Sequence, residues 1–455
     1  MRDFRGLIRI FRRKIPPVGQ KFTEIMESKN FLFVSTLGYA IDLAWHVFAE
    51  NNKVKFYIED DESKDIADGF FPKTDDWQRE VDWADVIIFD DVLGQGKKAQ
   101  QLRKQGKLVV GGTPYTDRLE DDRAFGQEEL KKVGVPIIPH YDFSDFDEAI
   151  KFVRENPGRY ILKPNGEVAN MKSFVFLGEE EDGRDVIQIL GDYKKAWSKK
   201  IKSFQLQKRI VGVEVAVGAF FNGKEFIYPI NVNFEHKKLF PGDLGPYTGE
   251  MGTSMFWSAP NRIFNLTLKK METRLQEENY VGYIDINCMV NVFGIYPLEF
   301  TSRFGYPTIS IQQEGILSPI GEVLYQLAKG EPVKLRTRTG FQVGVEIVVP
   351  PFPFQDKKTF EVNSKDAVIV FKKPNRDGVH IEEVKQIDGE WIVTGTEGTV
   401  LTIVGTGSTM KQAQSQAYQR IKNILIPNMY YRTDIGDRWS EDSDRLHNWG
   451  YLREM

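Results

Sequence analysis

The chain predicts an α/β and α+β protein: an N-terminal doubly wound parallel sheet, a mixed helix-and-strand middle, and a C-terminal β-rich unit. Three observations carry this. Apolar β-branched runs alternate with helical patterns over roughly the first 118 residues, the signature of parallel strands joined by crossover helices. The middle of the chain carries longer strands, including one probable hairpin. From 340 to 405 the pattern turns to short strands separated by Gly and Pro.

In chain order, the first strand is Phe31 to Ser35, followed by a helix over Tyr39 to Glu50 and a strand over Val54 to Ile58. Asp85 to Phe89 and Lys107 to Val110 read as further strands, with a basic helix near Lys97 to Gln105 between them. Ligands of such sheets sit beyond the strand C-termini, an edge that carries Ser35, Thr36, Gly38, Asp90, Asp91, Gly94 and Gly96. Residues 119–200 read as two helices, Asp121 to Val133 and Asp145 to Glu155, and two strands, Tyr160 to Lys163 and Ser173 to Leu177. Helical stretches follow near Asn265 to Glu278 and Ser318 to Lys329, and an amphipathic helix over Met410 to Leu425 precedes a polar tail. The expected units are a basic extension (1–29), the parallel-sheet domain (30–118), a small lobe (119–200), a large lobe (201–332), the β-rich domain (333–437) and the tail (438–455).

At 455 residues the chain exceeds one hydrophobic core. A composition 41% apolar and 28% charged is globular, and a net charge of −4 gives no global attraction to nucleic acid or anionic membrane. No run of about 18 apolar residues marks a membrane span. Cys288 is the one cysteine, which excludes a disulfide framework and points to a reducing, cytoplasmic setting. Its place on the apolar side of a strand makes it a core residue. The first fourteen residues mix Arg2, Arg5, Arg9, Arg12, Arg13 and Lys14 with Phe4, Leu7, Ile8, Ile10 and Phe11. They read as a helical extension packed on the body, with a surface-binding amphipathic helix or transit-like segment as alternatives.

The hairpin runs from Gly282 to Val290 and back from Ile295 to Thr301, with its turn at Asn291 to Gly294. Strand alternation puts Tyr283, Asp285 and Asn287 on one side, and Glu299 and Thr301 share a side of the returning strand. The midpoint of the turn sets Asp285 opposite Glu299. Facing carboxylates repel unless one is protonated or a cation lies between them. Oxygen ligands so spaced suit Mg²⁺; the alternative is two surface carboxylates on a wet face.

Three further segments follow one another at characteristic spacing. The first holds Phe234-Glu235-His236-Lys237-Lys238 and the glycine-rich loop Gly242-Asp243-Leu244-Gly245-Pro246-Tyr247-Thr248-Gly249-Glu250-Met251-Gly252. The second is Leu298-Glu299-Phe300-Thr301-Ser302-Arg303-Phe304-Gly305-Tyr306-Pro307, and the third Met429-Tyr430-Tyr431-Arg432-Thr433-Asp434-Ile435-Gly436. This ordered set resembles the DHKR and GPNTGGMG, LEFNCRFGDPE and MQYRRDIG stretches of the glycinamide ribonucleotide synthetase family (phosphoribosylamine–glycine ligases) of the ATP-grasp superfamily. The resemblance covers roughly residues 30 to 437 and implies an ATP-grasp fold. It also implies ATP-dependent ligation of a carboxylate to an amine through an acyl phosphate.

By that resemblance Lys163 and Arg123 reach the ATP phosphates, and Lys172 compensates for a thinned phosphate loop. Gln207, Lys208, Arg209 and Ile210 form the adenine hinge, with Glu214 at the ribose. Asp285, Glu299 and Thr301 hold Mg²⁺ or Mn²⁺, Arg303 steadies the transferring phosphoryl group, and His236 and Lys237 stand at the substrate loop. The implied partners are a glycine-like carboxylate and an amine, with no nucleic acid, in a monomer or homodimer. As isolated residues, each of these also reads as an ordinary surface or packing side chain.

The chain departs from the family pattern in places. The family's GSGGREHALAW loop, which holds the phosphoribosyl end of the substrate, reads Ser35 to Trp45 here, with Tyr39, Ala40 and Ile41 in place of Arg-Glu-His. GPEAPL becomes Asp90-Asp91-Val92-Leu93-Gly94-Gln95-Gly96, acids that repel a phosphate but suit an amine or hydroxyl. Tyr306 and Thr308 replace the acids of GDPE. The glycine-rich phosphate loop keeps only Gly166 between Gly166 and Ser173, and Thr301 replaces the usual asparagine ligand. These differences open two alternatives to the family activity: a ligase for another amine, such as a modified nucleotide or a polyamine, or a non-catalytic ATP-binding scaffold.

Overall fold

The computed structural model describes residues 27–164 and 174–453. Lys172, the rest of the phosphate-loop stretch through Ser173, and the basic segment 2–14 lie outside the described residues. Strand Asn30–Ser35 lies between Lys53–Ile58 and Val86–Phe89, with Val109–Val110 at the edge. All three pairings are parallel, as the strand–helix alternation predicts. Helices Ile41–Ala49 and Gln95–Lys104 connect them. Strand Phe31, Phe33 and Val86 face one apolar cluster while Leu32, Val34 and Ile87 face another, so the sheet is buried on both sides.

An eight-stranded sheet forms the body. Its order is Gly294–Thr301, Val281–Asn291, Val213–Asn222, Phe226–Glu235, Gly252–Ser258, Phe341–Val348, Thr399–Gly407 and Val379–Ile381. The pairing of Gly252–Ser258 with Phe341–Val348 carries the sheet across residue 333, so the large lobe and the β-rich region share one ladder. Alternation gives this sheet two unlike faces. Val215, Val217, Ile230, Val232, Ile284, Ile286 and Cys288 pack on one side against Ile263, Phe264, Leu268 and Leu275. The other side carries Glu214, Asn231, Asn233, Glu235, Asp285 and Asn287. Helix Thr308–Gly315 crosses this polar face closely enough that a Cβ at Gly344 would collide with Ile311.

The small lobe is a four-stranded sheet ordered His140–Phe143, Phe204–Lys208, Tyr160–Pro164, Phe176–Leu177. Helices Phe146–Glu155 and Arg184–Trp197 cover it. The second of these and the outer strand at 140–143 were not legible in the sequence. The expected helix from Asp121 to Val133 is two helices, Pro114–Asp121 and Arg123–Lys132, because Asp122 leaves the helical conformation and caps the second by accepting the Phe125 N–H. The expected helix from Met410 to Leu425 ends at Ile421, where the chain turns into the short strand Ile424–Leu425. The tail is not a loose polar segment. Helix Trp439–Asn448 packs Trp439, Leu446, Trp449 and Tyr451 against the apolar side of the large sheet.

One register expectation is corrected. Asp285 pairs with Thr301, and Glu299 faces Asn287. The two strands close through the two-residue turn Val292-Phe293, and a bulge between Asn287 and Cys288 leaves Leu298 as an extra residue on the returning strand. The bulge offsets the pairing from the midpoint rule without turning either side chain to the other face, so Asp285, Asn287, Glu299 and Thr301 still share a side.

A buried charge cluster ties the N-terminal domain to the β-rich region. The His380 Nδ1–H donates to Asp42 Oδ2 at 2.7 Å, the Ile381 N–H donates to Asp42 Oδ1 at 3.1 Å, and His380 Nε2 lies 3.5 Å from Glu314. Burial opposes ionisation of both members, yet His380 outweighs it to hold Asp42 at about 2, and Asp42 and Glu314 hold His380 up at about 10. Removing one member of such a pair strands the other charge. His380→Leu is therefore expected to destabilise the protein by about 3–5 kcal/mol in urea unfolding. The contribution of His380 is complete below its unfolded value of 6.5 and is lost as pH rises through about 10, so the gap between wild type and variant narrows over that window.

Candidate active site

The site lies where the small lobe overhangs the polar face of the large sheet. Three strands of that sheet each contribute a carboxylate to one ammonium. Lys237 Nζ lies 2.9 Å from Glu299, 3.3 Å from Glu214 and 3.3 Å from Glu235. Burial works against the Lys237 charge, but the three acids outweigh it and raise its pKa well above the usual lysine value. Lys237 in turn holds Glu299 down at about 2, with burial opposing and Arg123 assisting. Arg123 reaches Glu299 Oε2 at 2.9 Å from the start of helix Arg123–Lys132. Asn287 donates to Glu214 Oε1 at 2.8 Å.

Lys163 enters from the small lobe. Its strand pairs with Phe204–Lys208, and its Nζ donates to Gln207 Oε1 at 2.5 Å. Burial, reinforced by the positive charge of Arg123 and partly offset by Glu299, pulls its pKa down to about 8. Lys163, Arg123 and Glu299 thus meet from three separate elements, although 176 residues separate the last two in sequence.

Arg303 follows the hairpin. It is gripped by Glu120, with Nε and Nη2 3.2 and 3.1 Å from Oε1, while Ser302 N–H donates to the other oxygen at 2.7 Å. Burial opposes its charge, and Glu120 and Asp91 overcome that and raise its pKa further. Asp285 is buried at 3% exposure; burial, then the nearby Glu235 and Glu120, push its pKa well above the carboxylate range, with a hydrogen bond from Thr301 acting the other way.

Two expected residues sit differently from their sequence reading. His236 is buried at 1% exposure, and neither ring nitrogen has a hydrogen-bond partner among the described residues. Burial and the cations Arg438 and Arg432 lower its pKa to about 3, so it is neutral at physiological pH. In the hinge, the Lys208 N–H donates to Pro139 O and the Arg209 N–H to Arg159 O, each at 2.9 Å, so both donors are taken by the small lobe. Arg209 also donates through its side chain to Gly178 O at 2.8 Å. Ile210 follows on the half-buried edge of this segment.

The residues missed by sequence reasoning are Glu120, Glu235, Asn287 and the Asp42–His380 pair. Glu235 was legible in principle, since Asn231, Asn233 and Glu235 alternate on one face of their strand. Glu120 was hidden because its helix was not expected.

Asp285, Thr301 and Glu299 carry hard oxygens on one face, those of Glu299 already paired with Lys237 and Arg123 at 2.9 Å each, and Asn287 Oδ1 is buried with no partner among the described residues. Glu235 and Glu120 add negative charge that a neighbouring cation would offset. The set fits an oxygen-seeking divalent ion.

A small lobe above a large antiparallel sheet, with cations from the one and carboxylates from the other meeting between them, defines an ATP-grasp protein. The phosphoribosylglycinamide synthetase ATP-grasp (A) domain model matches residues 121–309, and the phosphoribosylglycinamide synthetase C domain model matches residues 342–438. The chain belongs to the phosphoribosylglycinamide synthetase family and is a C–N-bond-forming ATP-grasp ligase. It is 26% identical over 376 residues to the phosphoribosylamine–glycine ligase of Streptococcus pneumoniae, covering 81% of this chain and 86% of that one. To the same-named enzyme of Halalkalibacterium halodurans it is 23% identical over 434 residues, 90% and 97% of the two chains. The crystal structure of phosphoribosylamine–glycine ligase from Thermotoga maritima shares the fold with a TM-score of 0.64 at 20% identity, over 89% of this chain and 100% of that one. So does the biotin carboxylase domain of Hydrogenobacter thermophilus 2-oxoglutarate carboxylase, crystallised with MgADP and bicarbonate, at TM-score 0.60 and 14% identity over 94% and 100%.

Glu299→Gln is expected to lower turnover at least a hundredfold, since the charge that organises Lys237 and Arg123 is lost, while a thermal melt stays within a few degrees of wild type. ATP affinity at fixed ionic strength is expected to fall as pH rises through about 8, where Lys163 gives up its proton, and Lys163→Arg should move that fall upward.

Proposed function

We propose that this protein uses ATP to activate a small amino-acid carboxylate as an acyl phosphate and then joins it to a primary amine. The observation that supports this reading most directly is the convergence of Lys163 and Arg123 on Glu299, with Arg303 beside Asp285 on the same face of the sheet. Phosphoryl transfer requires chiefly positioning and charge neutralisation, and these side chains supply both.

In this reading Lys163 and Arg123 hold the triphosphate tail, and segment 207–210 lies along the adenine with Glu214 at the ribose. The backbone N–H groups of Lys208 and Arg209 are already engaged, which leaves carbonyls and the Ile210 region for the base. Arg303, pinned by Glu120, offers its planar fork to the transferring phosphoryl group or the substrate carboxylate. Lys237 orders Glu214, Glu235 and Glu299 around the site. Asp285, Glu299 and Thr301 would hold Mg²⁺ or Mn²⁺, which when bound offsets negative charge on the phosphate oxygens.

The carboxylate oxygen attacks the γ-phosphorus and ADP leaves. The amine nitrogen then attacks the acyl carbon, the bond to phosphate oxygen breaks, and inorganic phosphate departs with the electron pair. The surplus proton on nitrogen passes to water. The names of the relatives point to glycine as the carboxylate and to an amine as the second substrate.

Hydroxylamine tests this reading without knowledge of the natural amine. With ATP, Mg²⁺ and glycine it should trap the acyl phosphate as a hydroxamate with stoichiometric ADP. ADP and hydroxamate at background across a panel of small amino acids would overturn it.

A further inference from the structure

Two imidazoles and a carboxylate converge where the N-terminal domain meets the β-rich region, and none of them belongs to the set around Lys237. One ligand atom each from Asp42, His46 and His380 lies within 4.8 Å of the other two. Asp42 and His46 stand four positions apart on helix Ile41–Ala49, so both project from one face of it. His380 comes from strand Val379–Ile381, 338 positions from Asp42. Its Nδ1 is 2.7 Å from Asp42 Oδ2, and His46 Nδ1 is 3.5 Å from the same oxygen. With zinc bonds of ~2.0–2.1 Å, neighbouring ligand atoms of a tetrahedral site stand roughly 3.3 Å apart. The two separations bracket that value.

The surroundings suit a metal-binding histidine. A histidine that holds a metal through one nitrogen is oriented by donating its other N–H to a carboxylate or carbonyl. His380 Nε2 is buried, makes no hydrogen bond among the described residues, and lies 3.5 Å from Glu314 Oε1 on helix Thr308–Gly315. Asp42 is held in turn, since its Oδ1 accepts the Ile381 N–H at 3.1 Å. Gln313 donates its Nε2 to Asp42 Oδ2 at 2.9 Å and leaves Oε1 buried with no partner among the described residues. Turning that amide over would present a fourth ligand, an oxygen, to an ion beside Asp42.

Access lies at His46, whose side chain is 36% exposed, whereas those of Asp42 and His380 are 2% and 1% exposed. The two imidazole rings lie nearly parallel with centroids 5.2 Å apart. His46, the more exposed, therefore tilts to bring Nδ1 onto a shared ion.

We propose that Asp42, His46 and His380 bind one divalent transition-metal ion of the zinc type, which clips the N-terminal domain to the β-rich region. Two imidazoles select such an ion over Mg²⁺, which takes oxygen ligands. The site thus differs in chemistry from the Asp285–Glu299–Thr301 oxygens, and it stands whether or not the ligase reading does. The ion takes the place of the proton between His380 Nδ1 and Asp42. That proton leaves to water, His380 keeps the one on Nε2 facing Glu314, and His46 carries its own on Nε2 instead of Nδ1.

Calorimetry tests this on the full chain, made without a histidine tag, stripped with EDTA and titrated with ZnCl₂ in excess Mg²⁺. A saturable Zn²⁺ site is expected, and His46→Ala to weaken it at least tenfold while the metal-free melting temperature stays within a few degrees of wild type. Because only the folded chain gathers the three ligands, Zn²⁺ should raise the melting temperature of the wild type by more than that of His46→Ala. Co²⁺ gives a readout that needs no variant. Added to the wild type it should produce an intense visible band that Zn²⁺ removes, where coordination by six oxygens gives only a faint one. Absence of Zn²⁺ binding, a Zn²⁺ affinity indifferent to His46→Ala, a melting temperature unmoved by Zn²⁺, or a faint Co²⁺ band overturns the proposal.

Discussion

The ammonium of Lys237 is the contact on which the site depends. Glu214, Glu235 and Glu299 stand on three strands of one sheet face, each within 3.3 Å of the Lys237 ammonium that offsets their mutual repulsion. With Lys237 in their midst, Glu299 stays ionised and orients Arg123, and through it the neighbourhood of Lys163. The same principle repeats on a smaller scale at Glu120 and Arg303, and at Asp42 and His380. Each pair fixes a charged side chain that a wet surface would leave free to wander.

The sheet makes this possible by separating its two faces. One side is apolar and anchors the helices of the large lobe and the C-terminal helix. The other is crowded with carboxylates and amides that only a strand alternation can align over such a distance. Because the ladder runs on into the β-rich region, the same polar face continues from Glu299 and Asp285 toward Glu346 and Glu382. Tyr39, Asp90, Asp91 and Tyr306, where the sequence departs from the family pattern, gather near one another: Tyr39 stacks on Tyr306, and the Tyr306 hydroxyl donates to the Asp90 carbonyl.

Much of this was legible from sequence. The parallel strands at 31–35, 54–58, 85–89 and 107–110 announced themselves because β-branched and aromatic runs buried on both faces leave few other readings. The ordered segments around Glu235, Glu299 and Asp434 carried the family, and with it Lys163, Arg123, Asp285 and Arg303. The hairpin faces followed from alternation alone. Its register did not, because a bulge between Asn287 and Cys288 is a local backbone choice that no pattern of side chains announces.

The sequence by itself determined the fold class and the family, since these depend on periodicity and short motifs. Only the tertiary structure decided the partners. That Lys237 holds Glu299, that Glu120 pins Arg303, and that Asp90 accepts the Ala40 N–H just ahead of helix Ile41–Ala49 are contacts between residues tens to hundreds of positions apart. Electrostatic energy depends on distance and burial in space, and neither is written in the spacing of residues along the chain.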